Sequence, residues 1–363
     1  MENSSGKASS STAISLSIVD GWSMTMKIDL TTIREYAAHS GLSEATAQRI
    51  AVEEAFLRRA ALVDGPFMLK GSYVTSQQID EGWRRIPGDL DWAGLEGVDA
   101  GVLTAWVTAV TETELDDGIR FRSFSENAFW RMIEYAMDDD FPTVNTDIVA
   151  WIGEHKLEIR DMDVSFGLKL EPPPQPLLYR PRFGAPFMVQ KSVAAELQMA
   201  WKLHQCLVRP RFKDMLDLIL LLRANTVDVK LVWTALEDEC RHDKTPLEHF
   251  NWLLDRTIGE HPAWRRLSNG RYDAGECFSV WRSALAANGA LQLWECQLTE
   301  VYIGGRDLLW VEFEQLVAEL AMLLERAGFA RVAPADSASV QQRVAPPSAS
   351  LIDTLARWIG RRD

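Results

Sequence analysis

Residues 68–92 read MLKGSYVTSQQIDEGWRRIPGDLDW, an apolar segment that breaks at Gly71-Ser72 and returns to close on Asp89-Leu90-Asp91. Phe67-Met68-Leu69 predicts a short strand ending at the glycine, and Arg85–Trp92 predicts the strand that comes back, with Pro87-Gly88 suiting its turn-like entry. Side chains at i and i+2 of an extended strand point to the same side, so Asp89 and Asp91 are expected to stand together. Two adjacent carboxylates repel each other, and the arrangement asks for a cation.

Working outward, Leu30, Ile33 and Tyr36 recur at helical spacing, and Ser43-Glu44 opens a second helix through Ala47, Ile50 and Ala51. Leu103–Val110 predicts a helix and Ile119–Phe121 a short strand. Leu157–Leu170, LEIRDMDVSFGLKL, reads as the clearest strand. Strict alternation there puts Met162, Val164, Phe166 and Leu168 on one face and Ile159, Asp161, Asp163 and Ser165 on the other. The run EPPPQP at 171–176 is expected to end regular structure. Beyond Gln190 the pattern turns helical: Ser192–Val208, Asp214–Arg223 after the break at Pro210, Trp233–Cys240, Leu247–Ile258, Tyr272–Ala287 and Leu308–Ala327. The expected organisation is a disordered stretch 1–12, an α+β unit over 13–190, a helical unit over 191–331, a linker over 332–350 and an amphipathic tail over 351–363 with Leu351, Leu355 and Trp358 on one stripe.

The chain has 363 residues and a net charge of −14, so its surface as a whole repels nucleic acid and anionic membranes, and contact with either needs a local basic patch. Its four cysteines, Cys206, Cys240, Cys277 and Cys296, lack metal-ligand spacing and suit a reducing compartment. No apolar run has the length of a membrane span, and MENSSGKASSST lacks the apolar core of a secretion signal. A cytoplasmic location is the expectation.

A glycine-serine step lets backbone amides approach an anion closely. Asp89 and Asp91, joined by the strand-borne Asp163, form a hard oxygen set of the kind that holds Mg²⁺ and leaves positions for phosphate oxygens. Taken singly, a DxD pair is more often a solvated strand end; the order Gly-Ser, DxD, strand Asp is far more specific. Lys202 lies in a helix whose apolar face uses Leu197, Ala200, Leu203 and Leu207, and alone reads as a solvated helix position. Asp214 begins the next helix, where a carboxylate complements the dipole. Arg209, Arg211 and Lys213 make the densest basic cluster, equally a solvated loop or a contact for phosphate or RNA.

The runs LKGSYV…RRIPGDLDW, MDVSFG, ELQMAWKLHQCL and RFKDMLDLILLL, in this order over about Phe56 to Arg223, resemble the AbiEii-type nucleotidyltransferases, the toxin component of type IV toxin–antitoxin and abortive phage-infection systems. The resemblance implies a polymerase-β-like nucleotidyltransferase core with a mixed sheet, followed by a helical domain. It implies that Gly71, Ser72, Arg85 and Lys202 hold the nucleotide triphosphate, that Asp89, Asp91 and Asp163 bind metal, and that Asp163, Lys202 and Asp214, with Asp217 next to it, serve catalysis. The implied cofactor is Mg²⁺, with Mn²⁺ as the alternative. The implied partners are an NTP substrate, an RNA acceptor such as a tRNA end, and a cognate antitoxin acting indirectly, with no membrane. A protein hydroxyl is the alternative acceptor, and a non-catalytic nucleotide- or antitoxin-binding protein of the same fold is the reading from another class. The sequence departs from the family at Trp201, where a Glu usually precedes the lysine, at Pro87, where Ser or Thr usually stands two residues before DxD, and at Lys213, where Arg is common.

Overall fold

A computed structural model describes residues 27–79, 84–95, 97, 99–133, 142–267, 272–286, 302–303 and 310–333. The expected disordered N-terminus, nearly all of the linker and the amphipathic tail lie outside the described residues.

In chain order the elements are α1 Leu30–Ser40, α2 Glu44–Ala60, β1 Phe67–Lys70, α3 Ser72–Gln78, β2 Arg84–Arg85, β3 Asp91–Gly94, α4 Ala100–Glu112, β4 Ile119–Phe121, β5 Arg131–Ile133, β6 Thr143–Ile152, β7 His155–Ser165, β8 Gln175–Tyr179 and β9 Phe187–Ser192. Then follow α5 Ala195–Val208, α6 Phe212–Ala224, α7 Val229–His242, α8 Asn251–Leu254, α9 Pro262–Leu267, α10 Ala274–Ala286, β10 Tyr302–Ile303 and α11 Phe313–Ala327. The principal sheet runs β4-β6-β7-β3-β1-β9-β8, with β5 paired to β6. β3 lies parallel to β7 and β1 parallel to β9, while the other neighbours are antiparallel. The fold is thus α+β with a mixed sheet, followed by helices, as the sequence implies.

Local chemistry sets the helix starts. The Asp29 side chain accepts from Thr32 N at 2.8 Å, and Ser43 accepts from Thr46 N at 3.1 Å, so both expected N-termini are capped. α2 is buried on nearly every side and carries Glu53, Glu54 and Arg59 into the interior. Each is matched: Arg59 grips Asp117 through two bonds of 2.7 and 2.9 Å, Glu54 takes the Tyr179 hydroxyl and Arg182, and Glu53 takes Arg49 and Tyr73. One continuous apolar core joins this helix and the sheet to α5, α6, α7 and α11.

Four expectations are corrected. The returning strand is not continuous from Arg85 to Trp92. Arg84–Arg85 pairs instead with Tyr302–Ile303, Pro87 interrupts pairing because it has no amide proton, and β3 starts only at Asp91. β7 ends at Ser165, and its alternation slips. Ile148 faces Ile159 and Thr146 faces Met162, so two residues of β7 oppose one of β6, with Asp161 left-handed at φ 54°. This bulge puts Ile159 and Met162 both into the core, where unbroken alternation had separated them. EPPPQP does not end regular structure, since β8 starts at Gln175. The helix expected over 247–258 is a 3-10 turn at Leu247–Phe250 and the short α8, which stops before Arg256, left-handed at φ 62°. α3, β6 and β9 went unread: β6 is buried on both faces and shows little alternation, and α3 is short and polar.

Candidate active site

Strand register builds the site. Lys70 of β1 stands opposite Asp91 of β3, Asp91 opposite Asp163 of β7, Asp163 opposite Asn145 of β6, and Asn145 opposite Arg131 of β5. Paired residues project to the same face, so a polar row crosses five strands of the sheet. Their neighbours Leu69, Trp92 and Val164 point the other way into the core. Lys70 Nζ lies 3.5 Å from Asp91 Oδ1. At the far end Arg131 holds Asn145 at 2.7 Å and clamps Asp147, and Asn145 donates to Asp161. Asp161 therefore serves the row's edge and stands outside the carboxylate cluster.

Asp89 enters from the loop before β3. Buried Leu90 separates it from Asp91, so the i, i+2 relation survives although the strand is shorter than expected. Asp89, Asp91 and Asp163 offer carboxylate oxygens all within 4.8 Å of one another. Two elements brace the Asp89 loop. Arg49 of α2 donates to Pro87 O at 2.7 Å and Gly88 O at 2.8 Å, and Ser72 Oγ accepts from Gly88 N at 3.1 Å. The Ser72 hydroxyl in turn donates to Asp89 O at 3.3 Å, so its proton supports the loop. Arg49 was missed in the sequence; its contact lies 38 residues away along the chain, and no local pattern marks it.

Gly71 has φ 74° and ψ −146°, and a Cβ there would lie 2.1 Å from Asp91 Oδ2. Its amide donates to Gln198 Oε1 at 3.2 Å, which ties α5 to this corner. Gln198 was also missed, though it lies one helical turn before Lys202 on the same face.

The second half of the site is an ion-pair cluster. Lys202 is buried, which corrects its reading as a solvated helix position. Its ammonium contacts Asp217 and lies 3.5 Å from Asp214. Arg85 Nε binds the other oxygen of Asp217 at 3.1 Å, and Arg211 binds Asp214. Asp217 is fully buried and links the sequence-distant Arg85 and Lys202. Trp201, in place of the family glutamate, donates to Glu239 at 2.9 Å. Of the basic cluster, Arg211 is bound into this network, and half-buried Lys213 makes no hydrogen bond or ion pair among the described residues.

The electrostatics follow. Burial, then the charges of Asp91 and Asp89, raise Asp163 to about 7; burial and Asp89 raise Asp91, against the pull of Lys70 and Lys213. Burial opposes ionisation of Asp214, but Arg211, Lys202 and Lys213 outweigh it and hold its carboxyl well below the usual range. Burial, then Arg211, lowers Lys213 to about 8. Three crowded carboxylates, with Asp91 and Asp163 resisting ionisation, are a donor set that a divalent cation relieves, and all-oxygen ligation fits Mg²⁺ or Mn²⁺.

A family model described as nucleotidyl transferase AbiEii toxin, type IV TA system, matches residues 84–274, which takes in the DxD loop, Asp163, Lys202 and Asp217. Among solved structures, MenT4, a nucleotidyltransferase toxin from Mycobacterium tuberculosis H37Rv, is similar at 16% identity and a TM-score of 0.41, over 83% of this chain and 89% of that one. That likeness is too slight to argue from. No curated protein matches.

Proposed function

The chain belongs to the AbiEii family of type IV nucleotidyltransferase toxins, and from that premise we propose that it transfers a nucleotide from an NTP to an acceptor hydroxyl on RNA, a tRNA end first. The observation that carries this reading is the convergence of Asp89, Asp91 and Asp163 within 4.8 Å, with Asp91 packed against Gly71. Such chemistry is mostly positioning and electrostatics and needs no covalent nucleophile from the protein. A non-catalytic binding protein has no physical reason to keep three mutually repelling carboxylates.

In the proposed arrangement Asp89, Asp91 and Asp163 hold Mg²⁺ or Mn²⁺. When bound, the cation offsets phosphate charge and favours the ionised acceptor oxygen. Asp163 would complete the metal site and help activate the acceptor hydroxyl. Gly71 lets the Asp91 carboxylate close against the turn after β1, while Ser72 and Arg49 fix the backbone of the loop that carries Asp89. Lys202 and Arg85, anchored on Asp217, supply positive charge behind the triphosphate. A cognate antitoxin would act without entering this site. With a net charge of −14 opposing long polyanions, a protein hydroxyl is the second acceptor to test. No described helix is long and apolar enough to cross a membrane.

The test is incubation with each α-labelled NTP, Mg²⁺ and total cellular RNA or protein, followed by gel analysis, in parallel with growth on expression. Labelling of RNA by the wild type, lost together with growth arrest in Asp89→Ala and Asp91→Ala while the thermal melt is kept, is the expected result. Alanine variants that label as well as wild type refute the metal assignment, and label on protein alone replaces the acceptor.

A further inference from the structure

Four cations gather around Asp214 and Asp217, and their bonding is unequal. Lys202 and Arg85 share Asp217, and Arg211 is taken by Asp214. Their charges are committed within the protein, in a buried and geometrically fixed array. Lys213 differs. It sits in the first turn of α6, half-buried, with no hydrogen bond or ion pair among the described residues. It is close enough to Asp89, Asp91 and Asp214 to feel each of them, and Arg211 and Arg85 repel it. Asp214, next to it in α6, meets Lys202, and Gln198 one turn before Lys202 binds the amide of Gly71, which packs against Asp91, so this end of α6 belongs to the same corner as the carboxylate triad. A partly desolvated ammonium without a counter-ion is costly to a folded protein, and this one is pressed by two guanidinium groups as well. A flexible four-carbon stem with three rotatable donors is suited to meeting phosphate oxygens as a point charge.

We propose that Lys213 is the residue that binds the triphosphate of the incoming nucleotide directly, and that Lys202 and Arg85 act as positioning residues through Asp217. This rests on the nucleotidyltransfer reading above. Phosphate oxygens supply the direct ion pair that Lys213 does not make among the described residues, so nucleotide binding relieves a strain that Lys202 and Arg85 do not carry. The lowering of the amine to about 8 agrees with this placement, because it reflects burial and the repulsion of Arg211 against only partial compensation by Asp214 and Asp89.

The test measures equilibrium binding of NTP, inorganic tripolyphosphate and the matching nucleoside, with Mg²⁺, to wild type, Lys213→Met and Lys213→Arg, alongside thermal melts. Lys213→Met is expected to weaken NTP and tripolyphosphate about tenfold or more, on the scale of one charge-assisted phosphate contact. It should leave the nucleoside unchanged and the melting temperature equal or higher, a combination that a merely structural lysine does not produce. Lys213→Arg should recover part of the affinity. Wild-type NTP affinity should fall as pH rises past about 8, where the free amine loses its proton, and Lys213→Arg should stay flat over the same range. NTP affinity unchanged in Lys213→Met overturns the assignment and leaves the nucleotidyltransfer reading standing. An effect confined to the acceptor's KM does the same by moving Lys213 to the acceptor side. A folded wild type that binds no NTP overturns both.

Discussion

Gly71→Ala is the sharpest perturbation of the proposed site, because two separate costs fall on one methyl group. The backbone there, at φ 74° and ψ −146°, is open almost only to glycine, so a side chain costs about 1–3 kcal/mol in strain. The added Cβ would also meet Asp91 Oδ2 at 2.1 Å and Asp91 Cβ and Cγ at 2.8 Å. Rotation of the carboxylate alone does not clear it, since the Cβ next to the Asp91 backbone is itself too close. Restoring ordinary contact requires a retreat of roughly 1 Å at Asp91, a displacement that in a preorganised site costs about a hundredfold in rate. Gly41→Ala is the control. Gly41, at φ 69° and ψ 23°, carries only the milder strain of an ordinary left-handed position and has nothing within 4 Å of its Cβ, so it tests a positive φ without the collision. Thermal melts should show Gly41→Ala lowered by a few degrees, about what 1–2 kcal/mol produces, and Gly71→Ala lowered further. Single-turnover transfer should fall about a hundredfold in Gly71→Ala and stay near wild type in Gly41→Ala. Transfer within a few-fold of wild type in Gly71→Ala, or an equal loss in Gly41→Ala, refutes the close-approach reasoning.

Lys202→Met leaves fully buried Asp217 with Arg85 alone and should destabilise the fold by about 3–5 kcal/mol, read as a denaturant midpoint; Lys213→Met should not. The metal-free protein should grow more stable as pH falls from about 7 towards 4.5, the ordinary glutamate value, because burial raises both Glu53 and Asp163 to about 7. For groups whose folded value is raised, the stabilisation is complete below the unfolded value and is lost as pH rises through the folded one. For Asp163 the effect is on the order of 2 kcal/mol after solvent screening, and Asp163→Asn should remove its share. A stability that rises with pH across this window contradicts the burial assigned to both groups.

Some of this molecule is legible because its causes are local. Asp29 and Ser43 cap their helices through amides three residues on, so the helix starts can be read from the chain. Asp89 and Asp91 stay on one side because i and i+2 do so in any extended segment, strand or not. Local rules fail where the deciding partner is remote. The bulge at Asp161 depends on pairing with Asp147, and it shifts Ile159 onto the face that simple alternation denied it. Arg49 reaches the Pro87 carbonyl across 38 residues, and nothing in either neighbourhood announces the contact. Lys202 and Lys213 show the division most clearly. Both are lysines on amphipathic helices, and sequence alone makes either one a solvated residue or a site residue. Only the fold brings Asp217 to Lys202 and leaves Lys213 without an ion pair among the described residues, because the state of a charge is set by the groups within a few ångströms through space, and chain order does not specify those.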